Sequence, residues 1–223
     1  MIRIGFVVVL VGVLGWSVVA QANPIPIYNT GSNTSGNTTG GLLPVASADP
    51  HWQIISTPTS STPTSAIVDS TIAPGWATNP GYSQWIGQSY YQGLGVPGDY
   101  SFQTTFNLSG VIPLSAVLNG SIAVDNCLVD ILINGVSTGT SSASCAPGQN
   151  FGSFLNFTIS SGFVSGVNTL TFEIHNLGTT TNPTGLNVVV SGNALPLPEP
   201  GSLGLLGLAL LGFGGMWIRR RTC

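Results

Sequence analysis

The chain has 223 residues, 43% of them hydrophobic, with four basic and seven acidic side chains and a formal net charge of −3. Arg3 and Arg219 to Arg221 are the four basic residues, so the segment between the two ends contains no Lys or Arg. A domain without cationic side chains cannot neutralise phosphates, which excludes nucleic acid and anionic lipid as electrostatic partners. Neutral glycans, divalent cations and other proteins remain.

The amino-terminal segment has the pattern of a secretory signal. Ile4 to Val19 is predominantly apolar, follows Arg3, and is followed by Ala20-Gln21-Ala22. This order of a charged start, an apolar stretch and an Ala-x-Ala site predicts a signal peptide over residues 1–22, cleaved before Asn23. An uncleaved membrane anchor is the alternative, and the cleavage site disfavours it.

The carboxy-terminal segment predicts a membrane span. Residues 201–218 are uncharged and rich in Leu and Gly. As a helix, about 18 residues reach roughly 27 Å, close to the thickness of a hydrocarbon core. Arg219, Arg220 and Arg221 follow directly, and clustered arginines beside a span stay on the cytoplasmic side. Everything before the span is therefore expected outside.

Pro198-Glu199-Pro200 stands immediately before this span. Pro-Glu-Pro, an apolar span and terminal arginines, in that order, resemble the PEP-CTERM sorting segment of Gram-negative bacteria, here assigned to residues 195–223. The resemblance implies recognition by an exosortase, a membrane-embedded cysteine protease or transpeptidase. It further implies anchoring in the inner membrane before processing, and a host that makes exopolysaccharide. Thr222 and Cys223 after the arginines depart slightly from the pattern.

Two polar tracts suggest how the exported part is divided. Residues 29–41 lack large apolar groups and cannot offset the entropy of ordering, so residues 23–46 are predicted to be a flexible leader. Ser56 to Ser65 is rich in Ser, Thr and Pro, but apolar segments flank it, which favours a long loop between strands. Residues 47–194 are then the folded domain, long enough for one core.

Alternation with period two dominates this domain and no stretch has helical spacing. Large residues alternate with small polar ones over 100–108, 155–159, 170–174 and 186–190, which predicts half-buried strands. Asn134-Gly135 predicts a tight hairpin turn, and Asn119-Gly120 is a second candidate for one. With 30 glycines available for turns, the expected fold is an all-β, antiparallel β-sandwich of about eight or nine strands.

The spacing of several of these elements resembles that of galactose-binding-like jelly rolls. The segment from Gly166 to Phe172, with Asn168-Thr169-Leu170 at its centre, carries most of the resemblance, supported by Val124-Asp125-Asn126 and Ile133-Asn134-Gly135. Such modules accompany many glycosidases and bind sugars. The resemblance implies fold more than ligand, because Asn168 and Thr169 are expected to satisfy turn backbone groups.

Cys127 and Cys145 are the two cysteines of the exported part, where disulfides persist, so we expect them to form one bridge. Asp125, Asn126 and Asp130 offer the oxygen ligands that a structural Ca²⁺ prefers. A turn-forming Asp-Asn pair is the alternative explanation for these residues.

Catalytic residues are not evident in the sequence. Glu173 and His175 are two positions apart in a strand and therefore share a face. They have the residue types of an acid/base pair, but a solvated strand face explains them better. No nucleophile with its base, facing carboxylates or metal cluster is recognisable, so a non-enzymatic protein is expected.

Aromatic residues are concentrated in one Gly-, Pro- and Ser-rich segment, which contains Trp76, Tyr82, Trp85, Tyr90 and Tyr91. Exposed rings stack on the apolar faces of sugars. Trp85, next to Ile86, is expected in the core, and the other four are candidate carbohydrate-binding residues. The expected function is an exported surface or matrix protein that associates with neutral exopolysaccharide. A lectin-like module with a defined sugar and a matrix glycoside hydrolase are the alternatives.

Overall fold

The computed structural model describes residues 21–142, 145, 150–198, 201 and 207. In this described part, eleven strands and one short 3₁₀ helix, Pro113–Ser115, follow one another. The strands are β1 (Asn23–Pro24), β2 (Ala48–Ser56), β3 (Thr64–Val68), β4 (Ile86–Gly87), β5 (Gly98–Asn107), β6 (Val117–Asp125), β7 (Cys127–Ile133), β8 (Val136–Ser137), β9 (Leu155–Ile159), β10 (Val167–Asn176) and β11 (Gly185–Ala194). The pairings are antiparallel, which confirms the predicted all-β class.

The predicted hydrophobic ends fall almost entirely outside the described residues. Residues 1–20 of the signal peptide, Glu199 and Pro200 of the sorting motif, nearly all of 201–218 and the arginines at 219–221 belong to this undescribed part. Among the residues that the structure describes, no helix has the length and hydropathy that crossing a bilayer requires.

The strands form one continuous ladder that folds back on itself as a sandwich. Its order is β8-β7-β10-β5-β2-β3-β4-β11-β6-β9. Phe157 of β9 and Phe172 of β10 are far apart in this order, yet their rings meet edge to face with centroids 5.6 Å apart. The two parts of the ladder therefore face each other, and the β7-β10-β5-β2 layer packs on the β11-β6-β9 layer.

The core lies between these two layers and follows the predicted alternation. On β10, Leu170, Phe172 and Ile174 point inward with no exposed surface. On β11, Leu186, Val188 and Val190 do the same from the opposite layer, equally buried. Burial of these apolar side chains, at roughly 25 cal/mol per Å² removed from water, supplies the main favourable term in folding.

The two predicted hairpin turns have different outcomes. Asn134 and Gly135 both have positive φ and join β7 to β8, as predicted. Asn119-Gly120 is not a turn: both residues lie inside β6. Gly120 is required there because a Cβ would lie 2.5 Å from the Phe157 ring of the neighbouring strand. Here glycine permits close approach instead of a reversal of the chain.

The predicted flexible leader is wrong, because residues 23–46 belong to the folded domain. Ile25 and Ile27 are core residues, and Asn29 and Thr30 have no exposed surface. β4 pairs with β11 only at Leu186, and the amino-terminal segment occupies the edge that remains. It forms hydrogen bonds there through backbone groups and through Asn and Thr side chains. The polar residues that suggested disorder therefore satisfy the backbone groups of β11 as a neighbouring strand would.

The sandwich has two ends, which we call the terminal pole and the distal pole. The terminal pole comprises residues 23–26, 107–117, 133–136, 160–168 and 193–198, and it holds both β1 and the exit of the chain after β11. The distal pole comprises residues 57–63, 87–98, 125–127 and 176–184, joined by the pairs Gly98↔Asn176 and Gly95↔Asn182.

Candidate functional site

The loop between β4 and β5, residues 88–97, is the candidate site at the distal pole. Its backbone is held on both sides: Ser70 N donates to Tyr90 O over 2.8 Å, and Thr184 N donates to Gln92 O over 3.3 Å. Gly93 fits only as glycine, because its φ is +56° and a Cβ would lie 1.9 Å from Thr184 O. These contacts hold the backbone, while the side chains of Tyr90 and Tyr91 remain exposed.

Tyr90 and Tyr91 are the exposed rings of this loop. Tyr90 is 59% exposed and Tyr91 49%, which is unusual for large aromatic side chains in a folded domain. Because the loop backbone is held at Tyr90, Gln92 and Gly93, the tyrosine side chains project from a fixed backbone. Exposed, pre-positioned rings with a phenolic hydroxyl suit a ligand that has both an apolar face and hydroxyl groups.

Asp69 braces the loop from beneath. Its carboxyl is buried, and Oδ1 accepts a hydrogen bond from Gly93 N over 2.8 Å. Oδ2 has no hydrogen-bond partner within the described part of the chain. Burial raises the pKa of Asp69 to about 8, and the Gly93 hydrogen bond offsets only part of this rise. Burial therefore favours the protonated form of this carboxyl.

Trp76 is not at the surface, and its assignment as a sugar-stacking residue is wrong. It is 6% exposed, and its indole stacks on Trp85 with ring centroids 4.0 Å apart. Its Nε1 donates to Asp125 Oδ2 over 2.8 Å. Trp76 and Trp85 form a second small core with Ala73 and Ala123, and a Cβ at Gly185 would lie 2.8 Å from the Trp76 ring. Trp85 is buried, as predicted.

Tyr82 is separated from the other two tyrosines. It is partly buried, and its carbonyl accepts a hydrogen bond of 2.9 Å from Asn29 Nδ2, which also donates to Gly36 O over 2.7 Å. The structure thus divides the predicted aromatic cluster into three places: Trp76 inside, Tyr82 beside the amino-terminal segment, and Tyr90 with Tyr91 on the distal loop.

A polar cleft near Gly36 was not anticipated from the sequence. Its volume is about 340 Å³, and amide and hydroxyl groups dominate its walls. The lining consists of Gly36, Asn37, Asn119, Gly120, Ser121, Asn156, Val189 and Ser191. The available signal was the small polar residues on the outward face of β6, but only the register with β9 and β11 brings Asn156 and Ser191 beside them.

The remaining predicted polar groups are engaged locally. His175 Nδ1 lies 2.6 Å from Asp99 Oδ1, and the His175 side chain is 37% exposed and that of Asp99 83%. Glu173 pairs with Asp130 of β7 on the same outward face. Burial raises the pKa of Asp125 to about 6, against the opposing effect of the Trp76 hydrogen bond. Asn126 Oδ1 accepts from Leu177 N over 2.7 Å, as a turn residue does.

Among the described residues, no three His, Cys, Asp or Glu side chains come close enough together to hold a metal ion. Cys127 and Cys145 form the predicted disulfide, with Cα atoms 4.9 Å apart. The bridge closes the distal end of β7 onto the segment that follows β8.

Comparisons with known proteins concern the carboxy-terminal segment and the domain separately. Residues 196–221 match the profile of the PEP-CTERM protein-sorting motif. The chain is similar to a family 35 carbohydrate binding module from Clostridium thermocellum, with 12% identity over 57% of this chain and 86% of that one and a TM-score of 0.33. It is also similar to CBM35 from Paenibacillus barcinonensis, with 19% identity, 64% and 94% coverage and a TM-score of 0.33. No curated protein matches the chain.

The match at 196–221 includes the Pro-Glu-Pro sequence and the three arginines on which the sorting segment was predicted. That prediction is confirmed. The chain carries a PEP-CTERM protein-sorting motif and is an exported protein.

Proposed function

We propose that this protein is a non-enzymatic surface or matrix component that an exosortase sorts and that associates with neutral exopolysaccharide. The inner membrane holds it by residues 201–218 until processing. Its contact with polysaccharide is made by Tyr90 and Tyr91 at the distal pole, away from both ends of the domain. A selective lectin would need a deep pocket for its sugar. A single exposed loop instead fits a matrix protein that makes weak, repeated contacts with a polymer.

The observation that carries the proposal is the exposure of two adjacent tyrosines on a braced loop. The surface around them has no cationic side chain, because residues 4–218 contain no Lys or Arg. Ring stacking and hydroxyl hydrogen bonds therefore account for binding, and an uncharged glycan is the ligand class that such a surface accepts. The polar cleft at Asn119 and Asn156 lacks an aromatic floor and is assigned no part in this contact.

The proposal that the protein is not an enzyme rests on the position of Glu173 and His175 on the outward face of the sheet. These side chains stand on the flat face of β10, and His175 is committed to Asp99. Glycoside hydrolysis needs two carboxyl groups on opposite sides of a bound sugar. Asp130 and Glu173 instead lie side by side on neighbouring strands.

Affinity electrophoresis of the full chain in gels that contain dextran, galactomannan or arabinoxylan tests the contact. We expect retardation by at least one of these neutral polymers, and we expect the double variant Tyr90→Ala/Tyr91→Ala to lose it. Each stacked ring contributes on the order of 1 kcal/mol, so the double change lowers affinity by more than tenfold. Both side chains are exposed, so circular dichroism should show an unchanged fold.

The matched control is Asn119→Ala/Asn156→Ala, which alters the polar cleft by the same number of side chains and leaves the tyrosines in place. Retardation should persist in this variant. Loss of binding in the cleft variant together with full binding in the tyrosine variant would move the site to the cleft. Binding that survives both double changes would remove both surfaces from the proposal.

A further inference from the structure

Both hydrophobic ends of the precursor are attached to the terminal pole. β1 begins at Asn23, the first residue after the predicted signal peptide, and it pairs with Ala194 at the end of β11. The chain then leaves the domain through Leu195 to Pro198, held by Ile112 N donating to Leu195 O and Leu197 N donating to Gly110 O. Any membrane that holds residues 201–218 therefore lies at this pole.

The terminal pole exposes a large share of the apolar side chains that the domain leaves uncovered. Leu114, in the 3₁₀ helix, is 94% exposed and lies beside the exit of the chain. The other members of this surface, which we call the apolar rim, are Val136 at 65%, Val164 at 50%, Val167 at 65%, Leu195 at 37% and Leu197 at 51%. Grouped exposed apolar residues of this kind mark an interaction site.

The segments that bear the rim are neighbours, because hydrogen bonds link them one to the next. Ser115 Oγ accepts from Leu195 N over 2.8 Å, which fixes the 3₁₀ helix beside the exit. Leu108 N donates to Gly166 O over 2.8 Å and joins that region to the 160–168 loop. Asn168 Oδ1 accepts from Val164 N and from Asn134 Nδ2, each over 2.9 Å, which ties the loop to the β7–β8 turn.

Charge is distributed so that the terminal pole is neutral. Its residues, 23–26, 107–117, 133–136, 160–168 and 193–198, include no Asp, Glu, His, Lys or Arg. Among the described residues, the acidic side chains that reach solvent are Asp99, Asp130 and Glu173, and all three lie in the half of the sandwich toward the distal pole. An anionic bilayer repels that half and leaves the neutral pole free to approach.

We propose that the apolar rim rests on the outer surface of the lipid bilayer while the chain is anchored, so that the domain stands upright with Tyr90 and Tyr91 farthest from the membrane. This inference rests on the anchoring step of the proposed function. Leu114, Val167 and Leu197 enter the interface between headgroups and acyl chains, where apolar side chains are buried without any need for cationic groups.

The tether is short enough to enforce this contact. Three residues, Pro198, Glu199 and Pro200, separate Leu197 from Gly201, where the apolar segment begins, and the four extended steps from Leu197 to Gly201 span at most about 14 Å. Leu197 is thus held within about 14 Å of the start of the apolar segment, which keeps the point where the chain leaves the terminal pole close to the bilayer.

Fluorescence quenching in vesicles tests the orientation. The full chain, with Cys223→Ser so that the introduced cysteine can be labelled selectively, is labelled at Leu114→Cys and reconstituted into phosphatidylethanolamine and phosphatidylglycerol vesicles that contain a headgroup nitroxide lipid. A matched label at Thr59→Cys, on the exposed 57–63 loop of the distal pole, serves as the control. We expect severalfold stronger quenching at position 114 than at position 59.

Two added charges sharpen the test. Val167→Asp/Leu197→Asp, at exposed rim positions, should reduce quenching at position 114 severalfold, whereas Ser60→Asp/Ser61→Asp at the distal pole should leave it unchanged. Equal quenching at positions 114 and 59 in chains that float with the vesicles overturns the proposal. Energy transfer between labelled chains without quenching assigns the rim to a second copy and also overturns it. Chains that do not float at all refute the anchoring step itself, while polysaccharide binding is measured separately.

Discussion

Three buried carboxyl groups, Asp49, Asp69 and Asp125, lie in a domain that has no Lys or Arg to pair with them. Burial raises the pKa of Asp49 and of Asp125 to about 6 and that of Asp69 to about 8. In each case the folded state binds the proton more tightly than the unfolded chain does. The pKa of an aspartate in the unfolded chain is 3.8. Between this pKa and the raised pKa of the folded state, the contribution of each carboxyl to the free energy of unfolding falls as pH rises.

The free energy of unfolding should therefore fall as pH increases, and Asp69 should contribute the part of the fall nearest neutrality. Since one pKa unit corresponds to about 1.4 kcal/mol, we expect a decrease of at least about 2 kcal/mol between about pH 5 and about pH 9. Asp69→Asn, which cannot ionise, should flatten the upper part of this profile. Urea unfolding across this pH range measures it.

Asp99→Asn is the matched control for this experiment, because the Asp99 side chain is 83% exposed. It should keep the slope of the wild-type profile. A wild-type protein whose stability rises between neutral and alkaline pH would contradict the protonated, buried state of Asp69. An Asp69→Asn variant with the full wild-type slope would assign the titration to another group.

At the level of elements, the amino-terminal segment replaces a strand along β11. Asn29 makes three hydrogen bonds there: Oδ1 accepts from Val190 N of β11 over 2.8 Å, and Nδ2 donates to Gly36 O of its own segment and to Tyr82 O. Asn29→Ala leaves these buried groups without partners and should destabilise the domain by about 2 kcal/mol. Asn37→Ala, an exposed amide of the same segment, should change stability by less than about 0.5 kcal/mol. Chemical denaturation of both variants compares them.

Equal stability of the Asn29→Ala and Asn37→Ala variants would contradict this role and would restore the view of residues 23–46 as a flexible leader. The comparison is sharp because both changes remove the same amide from the same segment. Only burial and hydrogen bonding distinguish the two positions.

Elements with a clear period could be predicted from the sequence, and those formed by irregular chain could not. β9 was predicted at residues 155–159, and it occupies Leu155–Ile159, because alternation reports directly which side chains face a core. Asn29 and Trp76 were misjudged because their environment is made by distant partners. Asn29 is buried against β11 and Trp76 against Trp85 and Asp125, and local composition does not encode such contacts.

At the scale of the whole molecule, the two ends of the chain hold the predicted export and sorting signals, and the domain holds the proposed glycan-binding surface. We expect the mature protein to begin near Asn23 and to lack Arg219 to Cys223 once an exosortase has acted, because the Ala-x-Ala site and the PEP-CTERM motif are both intact. Intact mass spectrometry of the extracellular form measures this. A mass that includes both hydrophobic ends would refute the processing.

The central claim is that uncharged rings, without electrostatics or chemistry, bind a neutral glycan. Titration calorimetry of the full chain against the neutral polysaccharide that retards it, at low and at high ionic strength and alongside a reducing-sugar assay, tests it most directly. The affinity should be nearly the same at both salt concentrations, since screening weakens only interactions between charges, and no sugar should be released. A steep loss of affinity with salt, or a release of reducing sugar that Glu173→Gln abolishes, would contradict the claim.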